Sequence, residues 1–308
     1  MAACQDCDGE AATWCSRGGR TDPDLVGEGL TLETGIRAVV IGVVVLLAGT
    51  LPRNLLFAAN LRFWSEVPWA VPIIAGYLWL FWRYLNGAGP PPETAEERRT
   101  SLRAQRVSGK VWLWALLAGG IGLVALVLAL RVINRLVVLP VQRIPDLSGV
   151  PDTTIVPLLL LAAPVAGVVE ESAFRGYMQG PLERQYGLGW AILITGTAFA
   201  LVHLDFTLIL WPYYLAVAAL YGTITYLSGS ILPAVVLHTG GNLYSNLDLW
   251  LRGRAEWQAG AQPGRLIWET GSDPAFVHAL VGLLLAFIAL AAAFHRLARV
   301  ARPDAMAG

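Results

Sequence analysis

Six residues of this sequence are of types that move protons or hold metal ions, and they stand where such groups are expensive. Glu170 and Glu171 are adjacent, Arg175 follows in the same run, His203 closes the stretch FALVH, and His238 and Asn242 bracket HTGGN. The carboxylates come directly after the apolar run Ile155 to Gly167, and both histidines lie in further apolar segments. Charge placed in hydrocarbon costs at least about 2.5 kcal/mol per group, so an intramembrane ionisable residue is by default a functional one. Three kinds of chemistry suit the set. Glu170, His203 and His238 would make the one-carboxylate, two-histidine ligand set of a catalytic zinc, with Asn242 behind it, although no HExxH is present. A Glu, His and Arg relay would also suit a proton- or ion-coupled transporter. The bland alternative is an ion-paired packing element, with Thr239, Gly240, Gly241 and Asn242 as ordinary contacts between membrane helices.

The elements that must position these groups are helices. Glu171 and Arg175 are i and i+4 and can pair on one face, while Glu170 is turned by about 100° and points elsewhere. His238 and Asn242, also i and i+4, share a face. An antiparallel hairpin turning at Gly187 would put Glu170, 17 residues before the turn, at nearly the depth of His203, 16 residues after it, given a rise of ~1.5 Å per residue. A second hairpin turns around Ser228 to Ser230. Pro164 and Gly167 are expected to loosen the helix ahead of the carboxylates, a break tolerated at membrane depth only where it lines an enclosed or watery cavity.

The whole composition agrees. In 308 residues, 56% are hydrophobic and 14% charged, and mean hydropathy is +0.56, far too apolar for a soluble domain of this size. The expectation is an all-α polytopic membrane bundle of about eight transmembrane helices: near Gly35 to Leu61, Val67 to Tyr84, Val111 to Leu130, from Thr153, Leu188 to His203, Leu208 to Leu227, Ile231 to Leu249, and Pro274 to Phe294. A single membrane domain, 35–295, has its core at about 153–249, between a tail of residues 1–34 and a tail of residues 296–308. The loop carrying Arg98, Arg99, Arg103, Arg106 and Lys110 should face the cytoplasm, which puts both termini on that side. Net charge is zero and no basic tract stands out, so nucleic acid is not expected as a partner; the bilayer is. The N-terminal 34 residues have no apolar core and do not read as a secretory signal.

That tail holds the three cysteines, Cys4, Cys7 and Cys15. A C-x2-C pair and a third cysteine look like a zinc knuckle short of one ligand, Gly18 standing where a fourth cysteine would fall, and structural zinc is normally four-coordinate. The other reading is a tail with reduced thiols; nothing suggests a disulfide scaffold.

Taken together, EESAFR (Glu170 to Arg175), FALVH (Phe199 to His203) and HTGGN (His238 to Asn242), in that order on three apolar segments, resemble the EExxxR, FxxxH and HxxxN motifs of the CAAX prenyl protease 2 family, which includes Rce1-type prenyl endopeptidases and bacterial bacteriocin-processing and self-immunity proteins. The likeness covers roughly Pro157 to Asn246. It implies a multispanning intramembrane endopeptidase whose site lies in a cavity open to the cytoplasm. Glu170 would be the general base, assisted by His203, and His238 and Asn242 would stabilise the oxyanion; Glu171, Arg175 and Phe199 would support them. It implies no metal, zinc remaining the alternative, and a membrane-presented peptide or lipidated protein as substrate. A catalytically idle immunity or scaffold protein of the same fold is the other outcome the resemblance allows.

Overall fold

The structure, a computed structural model, describes residues 32–139, 149–203, 209–253 and 266–305. Cys4, Cys7, Cys15 and Asp205 lie outside the described residues, and the zinc expectation for the tail lies there with them. Among the described residues the chain is helical and has no strand. The helices are α1 (Leu32–Phe63), α2 (Ala70–Leu85), α3 (Ala95–Leu102), α4 (Gly109–Leu136), α5 (Asp152–Glu171), α6 (Gln179–Val202), α7 (Trp211–Ser228), α8 (Leu232–Arg252), the short α9 (Ile267–Thr270) and α10 (Pro274–Ala305), with a π-helical segment, Ser172–Met178, joining α5 to α6. Each of the eight apolar segments read from the sequence falls on one long helix. By length and composition, four helical stretches could cross a membrane: Leu32–Phe63, Gly109–Leu136, Asp152–Val202 and Pro274–Ala301. The third is α5 and α6 taken together. Helix α2 has 16 residues, and α7 and α8 spend several positions on Tyr, Thr, His and Asn, which lowers their hydropathy.

Helix α1 lies along α5, the π-segment and α6 without room for side chains. Gly35, Gly42 and Gly49 recur every seven residues. A Cβ on them would come 2.9 Å from Tyr186 Oη, 2.8 Å from Met178 Cε and 2.3 Å from Val169 Cγ1 respectively. The partner numbers fall as the glycine numbers rise, so the two paths are antiparallel. Pro52 sits inside α1 and, lacking an N–H, frees the carbonyl of Ala48; the hydroxyl of Tyr77 on α2 donates to that carbonyl at 2.6 Å. Asn60, fully buried, fixes the turn into α2: its amide donates to the carbonyls of Trp64 and Val67, and its oxygen accepts from the N–H of Ala70 at 2.9 Å.

Helix α6 breaks at Gly187, whose φ of 78° and ψ of 167° are not helical, a conformation that suits glycine, and the chain turns back to bring Phe199 to 5.3 Å from Phe174. The expected loosening at Pro164 and Gly167 does not occur. Helix α5 continues through both to Glu171, and Gly167 instead lets α8 approach, since a Cβ there would meet Thr239 Oγ1 at 2.3 Å. The irregular backbone lies one turn later, in the π-segment, all seven residues of which are buried. Ser172 Oγ donates to the carbonyl of Val168 at 2.7 Å, a local bond that bends helices. Gly176 packs against the backbone of Ser101 and Leu102. Helix α8 runs antiparallel to α5, with Asn246 donating to Leu159 O at 2.8 Å and Trp250 Nε1 to Asp152 Oδ1 at 3.1 Å.

The Arg-rich loop is held from inside. Arg98 is buried, and its guanidinium donates to the carbonyls of Tyr84, Ala88, Gly89 and Pro91 while lying over the Tyr84 ring. Arg103 ends α3 in the left-handed region at φ 56°, unusual for a residue with a Cβ, and is pinned by two contacts. Its guanidinium pairs with Glu183 Oε2 at 3.0 Å, and its carbonyl accepts from Ile231 N–H at 2.9 Å. On the opposite side, α10 packs along α4. Asp273 caps α10 by accepting from Phe276 N–H at 2.8 Å and pairs with Arg135 of α4.

Candidate functional site

Glu171 and Arg175 form the buried half of the site. Both side chains are 0% exposed, and Arg175 Nε lies 3.3 Å from Glu171 Oε2. None of the guanidinium nitrogens has an aligned hydrogen-bond acceptor, so the contact is charge pairing, supplemented by ring faces. The guanidinium carbon stands 5.3 Å from the centroid of Phe199, 5.6 Å from Tyr221 and 5.8 Å from Phe174, within cation–π range. The other oxygen of Glu171, Oε1, is 2.7 Å from His238 Nδ1. A carboxylate only accepts, so Nδ1 carries the proton. Across the ring, His238 Nε2 lies 3.7 Å from Glu170 Oε2, and Tyr221 stacks on the imidazole at 5.2 Å and 13°.

Glu170 belongs to the other half, which faces a cavity of about 460 Å³. Glu170, Phe199, His203, His238 and Asn242 all line it, so α5, α6 and α8 bring the expected residues to one space. His203 Nδ1 donates to the carbonyl of Phe199 at 2.8 Å, and its ring is wedged between Phe199 at 4.4 Å and Tyr214 at 4.9 Å. Both histidines therefore spend Nδ1 on a fixed partner and keep Nε2 for other chemistry, the arrangement that sets a tautomer and a ring orientation.

The cavity has a direction. A Cβ on Gly119 would fall 2.1 Å from Leu237 Cδ1 and one on Gly122 2.3 Å from Leu220 Cδ1, so α4 closes on α7 and α8 at the end near the Arg-rich loop. The lining starts just past these contacts, at Leu123, Tyr221 and His238, and extends to Arg131 and Asp248. It lies on the far side of these contacts from the loop. Asp248, at the far end of the lining, is buried and pairs with Arg252 at 2.6 Å.

Glu170, His203 and His238 are the trio of the alternative, zinc-dependent reading. Among the described residues no three His, Cys, Asp or Glu side chains converge as a metal-binding group; within the trio, Glu170 Oε2 and His238 Nε2 stand 3.7 Å apart. The residues as placed do not fit a zinc ligand set.

Sequence reasoning passed over three contributors. Tyr214 and Tyr221 are seven apart on α7 and put rings against His203 and His238; their helical spacing was a readable signal. Arg53, inside the first apolar segment, lies within the electrostatic reach of Glu170. A cation inside a 32-residue apolar helix was itself the signal.

Fold and site thus define a helical membrane protein with a buried carboxylate–arginine–histidine network beside an intramembrane cavity. Residues 152–244, under a third of the chain, match a family described as type II CAAX prenyl endopeptidase, Rce1-like, and form an Rce1-like domain. Every residue of the three motifs falls within that stretch. No curated protein and no solved structure matches the chain.

Proposed function

We propose that the protein is an endopeptidase of the bilayer, hydrolysing a peptide bond in a membrane-presented peptide or lipidated protein. The observation that supports this most is the delivery of Glu170, His203, His238 and Asn242 from three helices to one cavity inside the Rce1-like stretch. In this reading Glu170 takes a proton from water as that water attacks the scissile carbonyl, with His203 assisting. His238 and the Asn242 amide donate to the developing oxyanion. With Nδ1 committed to Glu171, His238 can donate from Nε2 only as the doubly protonated ring, and it sits between two carboxylates. The ammonium product leaves with the proton passed on by Glu170. Glu171, Arg175 and Phe199 hold the ring and do not touch the substrate. The membrane would be the cell membrane, with the Arg-rich loop and both termini in the cytoplasm.

The test is cleavage of a detergent-solubilised peptide mixture, farnesylated CAAX peptides included, by wild type and Glu170→Gln, read by mass spectrometry with and without a zinc chelator. Products from wild type alone, unchanged by chelator, are the expected result. Products that persist in Glu170→Gln would overturn the assignment of the base, and products lost to chelator would restore the metal. A mixture left intact by wild type would favour an idle scaffold or an ion-coupled carrier.

A further inference from the structure

Within the Rce1-like stretch the buried charges of the site balance only through one shared ring, His238, which lies against both carboxylates. Glu171 and Arg175 cancel. Glu170 remains, and its Oε2 is buried without a hydrogen-bond donor, the nearest basic atom of the stretch being His238 Nε2 at 3.7 Å. A carboxylate at that depth, facing a ring already bonded to Glu171 and 3.7 Å away, is held weakly.

Helix α1, outside the matched stretch, brings a further positive charge to this place. Gly49 is pressed against Val169, the residue before Glu170. Arg53 is one helical turn beyond Gly49, on the same face of α1. Its Nε is buried and has no hydrogen-bond acceptor, and Glu170 is the charged group it feels. The backbone at this point is fixed by an unusual device. Pro52 precedes Arg53, and the carbonyl of Ala48 that Pro52 leaves without a donor is taken by the Tyr77 hydroxyl from α2 at 2.6 Å. A proline turn tied to a second helix fixes the backbone next to the arginine more firmly than a proline turn left open would.

We propose that Arg53 is the counter-charge and positioning residue of Glu170, delivered by the proline turn of α1 that Tyr77 locks, so that the site needs the first two helices as well as the Rce1-like stretch. Arg53 acts through Glu170 and does not itself meet the scissile bond. The role rests on the proposed use of Glu170 only for its effect on cleavage, since the pairing of charges stands without it.

The experiment is a double-mutant cycle on the full-length protein in nanodiscs: wild type, Arg53→Gln, Glu170→Gln and the double variant, with Arg53→Lys and Tyr77→Phe alongside. Unfolding midpoints are read first and need no activity. Arg53→Gln is expected to lower the midpoint by roughly 3 °C or more in the wild-type background and by much less in the Glu170→Gln background, with Arg53→Lys recovering most of the loss. Equal losses in both backgrounds overturn the proposal. If Arg53→Gln yields no folded protein, the double variant is expected to yield it, and failure of both overturns the proposal as well. In any peptide assay that wild type passes, Arg53→Gln should lower kcat by about 10-fold or more, as misplaced catalytic groups do, with KM nearly unchanged. Tyr77→Phe should move kcat in the same direction. A wild type that cleaves nothing sinks the peptidase reading and leaves the midpoint cycle to decide on Arg53.

Discussion

Glu170 and Glu171 are consecutive, yet the two sides of the helix they mark are built on different terms. On the Glu171 side every group is sealed: its side chain and that of Arg175 have no exposure, three rings surround the guanidinium, and a histidine is tied to the remaining oxygen. On the Glu170 side the same residue type looks into a cavity shared with His203 and Asn242, and its side chain keeps 14% exposure. A buried charge pair sealed among rings can be a brace, whereas a carboxylate beside open space has room for water and a substrate. The rotation of about 100° between neighbours on a helix is enough to separate the two jobs.

The sharpest way to break this contrast is on the sealed side. Arg175→Met leaves Glu171 buried and unpaired, and a loss of about 3–5 kcal/mol is expected, read as a large drop in unfolding midpoint or in the yield of monodisperse protein. Survival of Arg175→Met at wild-type stability would remove the distinction between the two halves. Next come the paired conservative changes. Glu171→Gln should cost about 2–3 kcal/mol by weakening its bonds to Arg175 and His238, while Glu170→Gln should leave the midpoint within about 1 kcal/mol of wild type or above it and remove cleavage. Similar midpoints for the two would mean that both carboxylates are braces.

Smaller effects refine the picture. Gly49→Ala puts a methyl where Val169 Cγ1 stands 2.3 Å away, and overpacking of this kind costs about 1–3 kcal/mol; circular dichroism on heating would measure it, and cleavage should fall with it because Arg53 is displaced. The mildest change is expected at the rim, far from either half. The backbone N–H of Phe276, then the side chain of Arg135, hold the Asp273 carboxyl below its ordinary value of 3.8. Its folded-state value is depressed, so its contribution is complete above 3.8 and is lost as pH falls through the lower, folded value. Asp273→Asn should therefore lower the midpoint slightly at neutral pH and not at all in strong acid, and high salt should shrink the difference.

Much of this arrangement was legible in the sequence, and the misses share a cause. The turn at Gly187 could be placed because the polar run QGPLERQYG interrupts two apolar ones, and the Glu171–Arg175 pair followed from i and i+4 spacing. The bond from His238 to Glu171 could not be placed, because the register of α8 against α5 is set by contacts such as Gly167 against Thr239 that no local pattern announces. The π-segment was missed for the same reason: its extra residue is accommodated by Ser172 and by the packing of Gly176 on Ser101. Pro164 and Gly167 were read as helix breakers by propensity, and packing against α8 overrode it. The fold class, set by composition, was the easiest to read.

The grip between the Arg-rich loop and the α7–α8 turn bears on how the chain is made. Arg103 O has its donor in Ile231, Gln105 O has its donor in Ser230, and Gln105 Nε2 reaches Gly229 O. These partners emerge from the ribosome more than a hundred residues after the loop does. A nascent chain that has not yet reached Gly229 leaves the loop's backbone to water and to proteases, and the arrival of that turn is the moment at which the first helices of the protein become committed to the rest.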